Sequence, residues 1–299
     1  MAITLMAITP VAVTPMAASK PALPPTLTCH GNERLGFLTR RFDKLAGKSH
    51  FGLMKLPISV AVITLNEERN IERCLRSVQW ADDLVIVDTN SADRTCEVAS
   101  SLGARIINKE WLGFGPQKAF AAKEALHDWI LALDADEVVS DELAREIQQE
   151  FSSLDAQTVY RIPRRSFFLG RWILHGGWYP DRQARLFHRQ YSMWDNSAVH
   201  ESVKGKKFEN LNGDLHHFVF RDVAHQVATN NRYSSLLAVN DRRRGQRFSL
   251  WKLIVKPPIK FLECYLIKQG FRDGLPGFAI AVNAAYSIFL RWLKIWETE

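Results

Sequence analysis

Between Ile58 and Phe151, short β-branched runs alternate with helical segments, and this alternation limits the fold more than any other feature of the chain. "ISVAVIT" reads as a buried strand, and "NEERNIERCLRSVQW" after it places Ile71, Leu75 and Val78 at helical spacing. "DLVIVDT", "ARIINK" and "WILALD" read as three further strands. "DRTCEVASSLG", closed by Gly103, and "PQKAFAAKEAL" read as helices between them, and "SDELAREIQQEF" as a helix with Ser140 at its N-cap. Strands joined by helices imply right-handed crossovers and a mostly parallel, Rossmann-like α/β sheet. Such sheets bind ligands beyond the carboxyl ends of their strands. Polar residues stand at those ends here: Thr64, Asn66 and Glu67, then Asp88, then Asp134 and Asp136. No GxGxxG follows the first strand and no Walker A motif occurs, which argues against dinucleotide and P-loop chemistry.

The fourth strand ends in a conflict. In "WILALDADEVV" five apolar residues lead directly into Asp134, Asp136 and Glu137. Carboxylates side by side repel and resist desolvation, so the cluster costs stability unless a cation or a proton offsets it. Asp-x-Asp offers hard oxygens separated by one residue, a donor set suited to Mg²⁺ or Mn²⁺ with substrate phosphates completing the shell. Asp134 and Asp136 are therefore the ligand candidates, with Glu137 supporting the loop or the following helix.

After about residue 155 the pattern shortens to "TVYRIPRRSFF", "GGWYPDRQARLFHR", "SAVHESV" and "DLHHFVF", an antiparallel extension of the sheet carrying acceptor-side loops. From Arg232 onward the chain reads as helices in which basic residues from Arg242 to Arg272 mix with Phe, Trp, Leu and Ile. The formal charge of +7 points to an anionic partner: a nucleotide, a nucleic acid or an acidic membrane surface. "LPGFAIAVNAAYSIFL" is short for a membrane span and contains Asn283. It suits an interfacial helix on anionic lipid, a helix packed on the domain, or both. The scattered Cys29, Cys74, Cys96 and Cys264 form no C-x-x-C pair, which argues against a zinc site or a disulfide framework. Residues 1–53 are rich in Pro, Ala and Thr, with prolines interrupting the apolar run and no early basic region. They read as a disordered extension, or as residues upstream of a true start at Met54, rather than as a secretory signal.

Together, "VITLNEERNIERCLRSV", "VDTNSADRT" and "LALDADE" resemble the nucleotide-binding half of family 2 glycosyltransferases with the GT-A fold. "EWLGFGPQKAFA", "PRRSFFLGRW", "HGGWYPDRQARLFHR", "VHESV" and "GFRDGLPGFAIAVNAAYSIFLRWLKIWE" extend the resemblance to bacterial lipopolysaccharide inner-core β-1,4-glucosyltransferases, over roughly residues 56–297. The resemblance implies a UDP-sugar donor, such as UDP-glucose, and an inverting transfer. It puts Thr64, Asn66 and Glu67 at the nucleoside, Asp88 on uracil N3–H or capping the "TNSADR" turn, and Lys118 near the uracil or the diphosphate. Asp134 and Asp136 would hold the metal, joined by His216 or His217, whose adjacent positions on a strand face opposite ways. Arg185 would touch the diphosphate or form a surface pair, and Trp178 and Tyr179 would stack on the acceptor or pack.

Inversion in one displacement needs a carboxylate to take the acceptor hydroxyl's proton. Glu201 in "VHES" is preferred, with Asp181 in "WYPDR" as second choice unless it pairs with Arg182 or Arg185. "VHES" departs from the family's usual Glu-Asp motif, so the assignment rests on position alone.

Three regions are expected: residues 1–53, a GT-A domain over 54–245, and amphipathic helices over 246–299 forming a basic, aromatic, membrane-associating tail. The acceptor implied is a lipid-anchored core oligosaccharide, met by a peripheral enzyme on the cytoplasmic face of the inner membrane. Transfer to a polyprenyl phosphate or a peptide is the nearest alternative. A non-catalytic nucleotide- or nucleic-acid-binding module is the more distant one, and no nucleic-acid motif supports it.

Overall fold

Strand β1 (Leu56–Thr64) is the hub of the parallel half. It pairs in parallel with β2 (Ala81–Asp88) on one side, and β3 (Arg105–Asn108) adds to the outer edge of β2. On its other side lies β4 (Trp129–Asp134), again parallel. The computed structural model describes residues 55–195 and 201–298, within a compact unit spanning residues 53–299. The expectations for residues 1–53 and for a start at Met54 lie outside the described residues.

Helices α1 (Glu68–Arg76), α2 (Thr95–Ser101), α3 (Phe114–Lys123) and α4 (Asp141–Glu150) cover the two faces of this sheet. On one face Ile71, Leu75, Ala99, Leu143 and Ile147 pack against Val60, Val62, Ile86, Leu131 and Leu133. On the other, Ala121, Ala122 and Ala125 on or just after α3 lie against Ala61, Val85, Val87, Ile130 and Ala132. Strands buried on both faces need such continuous apolar runs. Ser140 caps α4 by accepting from Leu143 N–H, as its position implies. One polar staple crosses the sheet: Asp83 accepts from Ser59 Oγ, Arg105 Nε and Leu126 N–H at 2.7–2.9 Å. Burial would raise the Asp83 carboxyl, but these donors outweigh it and hold the group below its ordinary value.

The chain leaves β1 towards β2 and β3, then returns through α3 to β4, so the order β3-β2-β1-β4 reverses between β1 and β4. That switch, beyond Thr64 and Asp134, is where sheets of this kind bind their ligands.

The second half continues the sheet with β5 (Glu137–Val139), β6 (Thr158–Phe168), β7 (Arg171–Ile173) and β8 (Asp181–His188). It ends with β9 (Met193–Trp194), β10 (Val203–Lys204), β11 (Lys207–Asn210) and β12 (Leu215–His217). Strand order runs β4-β8-β6-β12-β5, with β7 and β11 also on β6, while β9 and β10 pair separately. β8 is antiparallel to both β4 and β6, so the mostly parallel sheet carries the expected antiparallel extension. The β6–β8 ladder is irregular: Leu186 pairs with Tyr160 and Ala184 with Arg161, leaving Arg185 as an extra residue. Such a bulge re-aims its side chain.

Three long helices close the chain: α5 (Val223–Arg243), α6 (Leu250–Leu262) and α7 (Gly274–Glu297). α5 begins nine residues before the expected Arg232, capped by Asp222, which accepts from His225 N–H at 2.7 Å. α7 packs against the sheet through Ile280 on Phe168 and Ile173, and against α5 through Trp292 and Ile295 around Ala238. Asp273, fully buried before α7, accepts from Leu174 N–H and His175 N–H at 3.1 and 2.7 Å. The tail thereby grips the loop that leads to Asp181. Residues 270–297 are long and apolar enough, by length and composition alone, to cross a membrane.

Candidate active site

The ends of β1, β2 and β4 bring together most of the residues singled out in the sequence. Asp88, fully buried at the end of β2, accepts from Thr64 Oγ1 at 2.7 Å, Ser91 N–H at 2.7 Å and Ser91 Oγ at 2.6 Å. It therefore caps the 89–93 turn at the end of β2. Asn66 adopts φ 57°, a conformation asparagine tolerates, donates its N–H to Ser91 Oγ and accepts from Ala92 N–H. Glu67 N–H donates to Thr95 Oγ1. Burial, then the charges of Asp136 and Asp93, push the Glu67 carboxyl above its ordinary value against the hydrogen bond from Asn70.

Asp134 closes β4 and is held on both oxygens. Lys118 Nζ, from α3, lies 2.8 Å from Oδ1, and Arg185 Nη2 lies 2.5 Å from Oδ2. Burial would raise the Asp134 carboxyl, yet Arg185 and Lys118 hold it far below the carboxylate range. Arg185 itself is buried and also reaches Glu137 Oε1 at 2.6 Å. Burial would lower its guanidinium, and the attraction of Asp134 and Glu137 raises it instead. Glu137 is fully buried, accepts from Asp134 N–H at 3.0 Å and meets Arg164 at 3.3 Å, which makes it the loop's support. Arg185 is thus neither a surface pair nor open to solvent, because the bulge turns it into the cluster.

Asp181 pairs with Arg164 at 2.6 Å, rather than with Arg182 or Arg185, and its other oxygen accepts from Gln183. The reason is register, since Arg164 stands directly opposite Asp181 across β6 and β8. Glu201 lies 2.9 Å from Lys118 Nζ through Oε1, so Lys118 bridges Glu201 and Asp134. The preferred base candidate and the strand-end carboxylate share one ammonium.

Asp136 stands outside this network. It meets His217, with Nε2 3.3 Å from Oδ2, and Ser166 Oγ lies 3.2 Å from His217 Nδ1. His216 faces away and stacks on Trp172 at 4.4 Å, its imidazole held below the ordinary value by burial and by Arg165. Among the described residues no three His, Cys, Asp or Glu side chains converge as a metal cage. The paired Asp136 and His217 nonetheless fit a divalent cation that keeps positions for phosphate oxygens. A ligating histidine usually has its second nitrogen fixed by an oxygen, a place that Ser166 Oγ would fill.

Of the two aromatics before Asp181, Trp178 packs with Phe168 and Phe220, and Tyr179 donates to Asp214 at 3.0 Å. The sequence reading missed Arg164, Ser166 and the bulge. Arg164 and Ser166 stand on one strand, at β6 positions opposite Asp181 and His217. Only strand register makes that visible.

Comparison with known proteins places these features in context. The family model described as "Glycosyl transferase family 2" matches residues 59–209. An uncharacterized glycosyltransferase of Rickettsia typhi is 33% identical over 253 residues, covering 80% of this chain and 87% of its own. The lipopolysaccharide core biosynthesis glycosyltransferase LpsC of Rhizobium meliloti is 32% identical over 251 residues, covering 81% of this chain and 93% of its own. Among solved structures, S. aureus TarS 1–349 in complex with UDP-GlcNAc aligns over 78% of this chain and 82% of that one, at 14% identity and a TM-score of 0.42.

Proposed function

The chain belongs to glycosyl transferase family 2, and on that premise we propose that it transfers a hexose, glucose by preference, from a UDP-sugar to a lipid-anchored core oligosaccharide with inversion. The observation that carries this reading is the placing of Asp134 and Asp136 at the β1/β4 switch, with Lys118, Arg185 and His217 gathered around them. The likeness to a lipopolysaccharide core biosynthesis enzyme supports the acceptor class.

Thr64, Asn66, Glu67 and Asp88 shape the floor on which the nucleoside rests. Asp136 and His217 would hold Mg²⁺ or Mn²⁺, with Asp134 alongside, and the bound ion would offset the negative charge of the diphosphate leaving group. Lys118 and Arg185 keep Asp134 ionised and directed. Glu201 takes the acceptor proton: among the described residues only its Oε1 is bonded, whereas both oxygens of Asp181 are engaged.

The tail adds a place of action. Leu275, Phe278, Val282, Tyr286, Phe289 and Trp296 form one exposed apolar stripe along α7, and Trp251, Ile254 and Ile267 are exposed as well. With Lys252, Lys256, Lys260, Lys268 and Arg272 close in sequence, this surface suits the headgroup region of an anionic bilayer. The enzyme then works as a peripheral protein on the cytoplasmic face of the inner membrane.

The test is transfer of labelled glucose from UDP-glucose to extracted core acceptor. Asp136→Asn is expected to lower turnover about 10³-fold, a loss of about 4 kcal/mol of transition-state stabilisation. Glu201→Gln is expected to abolish transfer while UDP still binds. Near-normal turnover in Glu201→Gln, with loss in Asp181→Asn, reverses the choice of base. An acceptor left unglucosylated by the active chain sinks the acceptor half of the reading.

A further inference from the structure

A cavity of about 490 Å³ lies beside the candidate site on the α3 side of the sheet. Glu201 stands in its wall, and the same Glu201 meets Lys118 next to Asp134. Arg161, Arg182 and Lys204 supply cations to the cavity, and Trp194 and Phe208 supply aromatic surface.

The two arginines are set in an arrangement that needs an explanation. Arg161 pairs with Ala184 across β6 and β8, and Arg182 lies two residues from Ala184, so both side chains emerge on one face as diagonal neighbours. Both are exposed, so water screens them from each other and their N–H groups stay open to a ligand. Among the described residues neither guanidinium has a carboxylate within ion-pair distance. Arg161 rests its face on the Phe208 ring at 4.2 Å, and Arg182 bonds only the Leu211 carbonyl, at 3.3 Å. Lys204 is partly spent on Asp195, 3.2 Å away. Two exposed guanidinium forks without a carboxylate partner, side by side in the wall of one cavity, offer charge-assisted donors to an oxygen anion.

We propose that this cavity is an acceptor subsite for an anionic group, a phosphate monoester or a sugar-acid carboxylate, borne by the saccharide near the hydroxyl that Glu201 deprotonates. The inference rests on the glycosyl transfer proposed above and deepens it. Arg161 and Arg182 grip the anion through charge-assisted hydrogen bonds, Phe208 holds the Arg161 plane, and the sugar is thereby registered against the donor crevice. Recognition of charge at a distance from the reacting hydroxyl separates this acceptor from neutral saccharides of the same shape.

The test uses the full chain with core oligosaccharide released from lipopolysaccharide as the acceptor, intact, phosphatase-treated or carboxyl-reduced. Arg161→Gln and Arg182→Gln are each expected to raise KM for the intact acceptor about tenfold, the worth of a charge-assisted hydrogen bond. Affinity for UDP and the melting temperature should hold. The treatment that removes the recognised anion should raise the wild-type KM by the same factor and erase the difference between wild type and variants. Loss on phosphatase treatment identifies a phosphate, and loss on carboxyl reduction a carboxylate. An unchanged KM in both variants overturns the proposal, as does an equal rise on all three acceptors. If Arg182→Gln fails to fold, Arg161→Gln, exposed on its strand, carries the test alone.

A chain that glucosylates none of the three acceptors refutes the transfer reading instead. Inorganic phosphate titrated into UDP-saturated protein then reads the subsite by itself. Weaker binding in Arg161→Gln supports the subsite, and equal binding in both proteins removes it.

Discussion

"WILAL" at residues 129–133 and "LWKLI" at residues 250–254 are both rich in Trp, Leu and Ile, yet they meet opposite environments. Ile130 and Leu131 have no exposed surface, whereas Trp251 is 74% and Ile254 62% exposed. The difference lies in what surrounds each segment. β4 has β1 and β8 on its edges, α3 against one face and the α1–α4 core against the other. α6 offers one side to α7 and leaves the other open, and α7 does the same along its apolar stripe. The membrane contact proposed above requires such an exposed apolar surface.

Three measurements would sharpen or break this comparison. The largest effect is expected at the charged end of the buried strand. Arg185→Met leaves Asp134 and Glu137 without their shared cation and should cost about 3–5 kcal/mol in urea unfolding. A loss below about 1 kcal/mol would mean that the cluster is solvated rather than buried. Next come the two apolar segments themselves. Leu131→Ala should cost about 2–5 kcal/mol, and Trp251→Ala less than about 0.5 kcal/mol. The order should invert in a sedimentation assay with anionic vesicles, where Trp251→Glu with Ile267→Glu releases the protein while its melting temperature holds. A double variant that unfolds would instead make the tail a core element. The smallest effect concerns the polar staple. With its carboxyl held below the unfolded value, Asp83 contributes stability above about pH 4 that fades as pH falls further. Asp83→Asn should flatten the fall in unfolding free energy between pH 5 and pH 3, and an unchanged slope would remove Asp83 as its source.

The parallel half was legible because its signals are local. Each strand is a short apolar run, each helix carries its own spacing or cap, and the crossover rule assembles them. Asp134 and Asp136 could be picked out for the same reason, since a strand end is visible in sequence. The rest of the site depends on pairing between distant segments. The choice between His216 and His217 followed from which of them β12 turns towards Asp136, and the partner of Asp181 from the register of β6 against β8. The early start of α5 was hidden because "VAHQVAT" opens with residues equally at home in a strand, and the Asp222 cap decides it.

The extra residue in β8 has a further consequence. Upstream of Arg185 the strand is out of phase with its downstream part, so Ala184 and Phe187 look to the same side although three positions apart. Deleting one residue there would give a regular ladder, but it would take the guanidinium away from Asp134 and Glu137. For this strand, ideal pairing and a charged site are mutually exclusive solutions, and the chain has kept the irregular one.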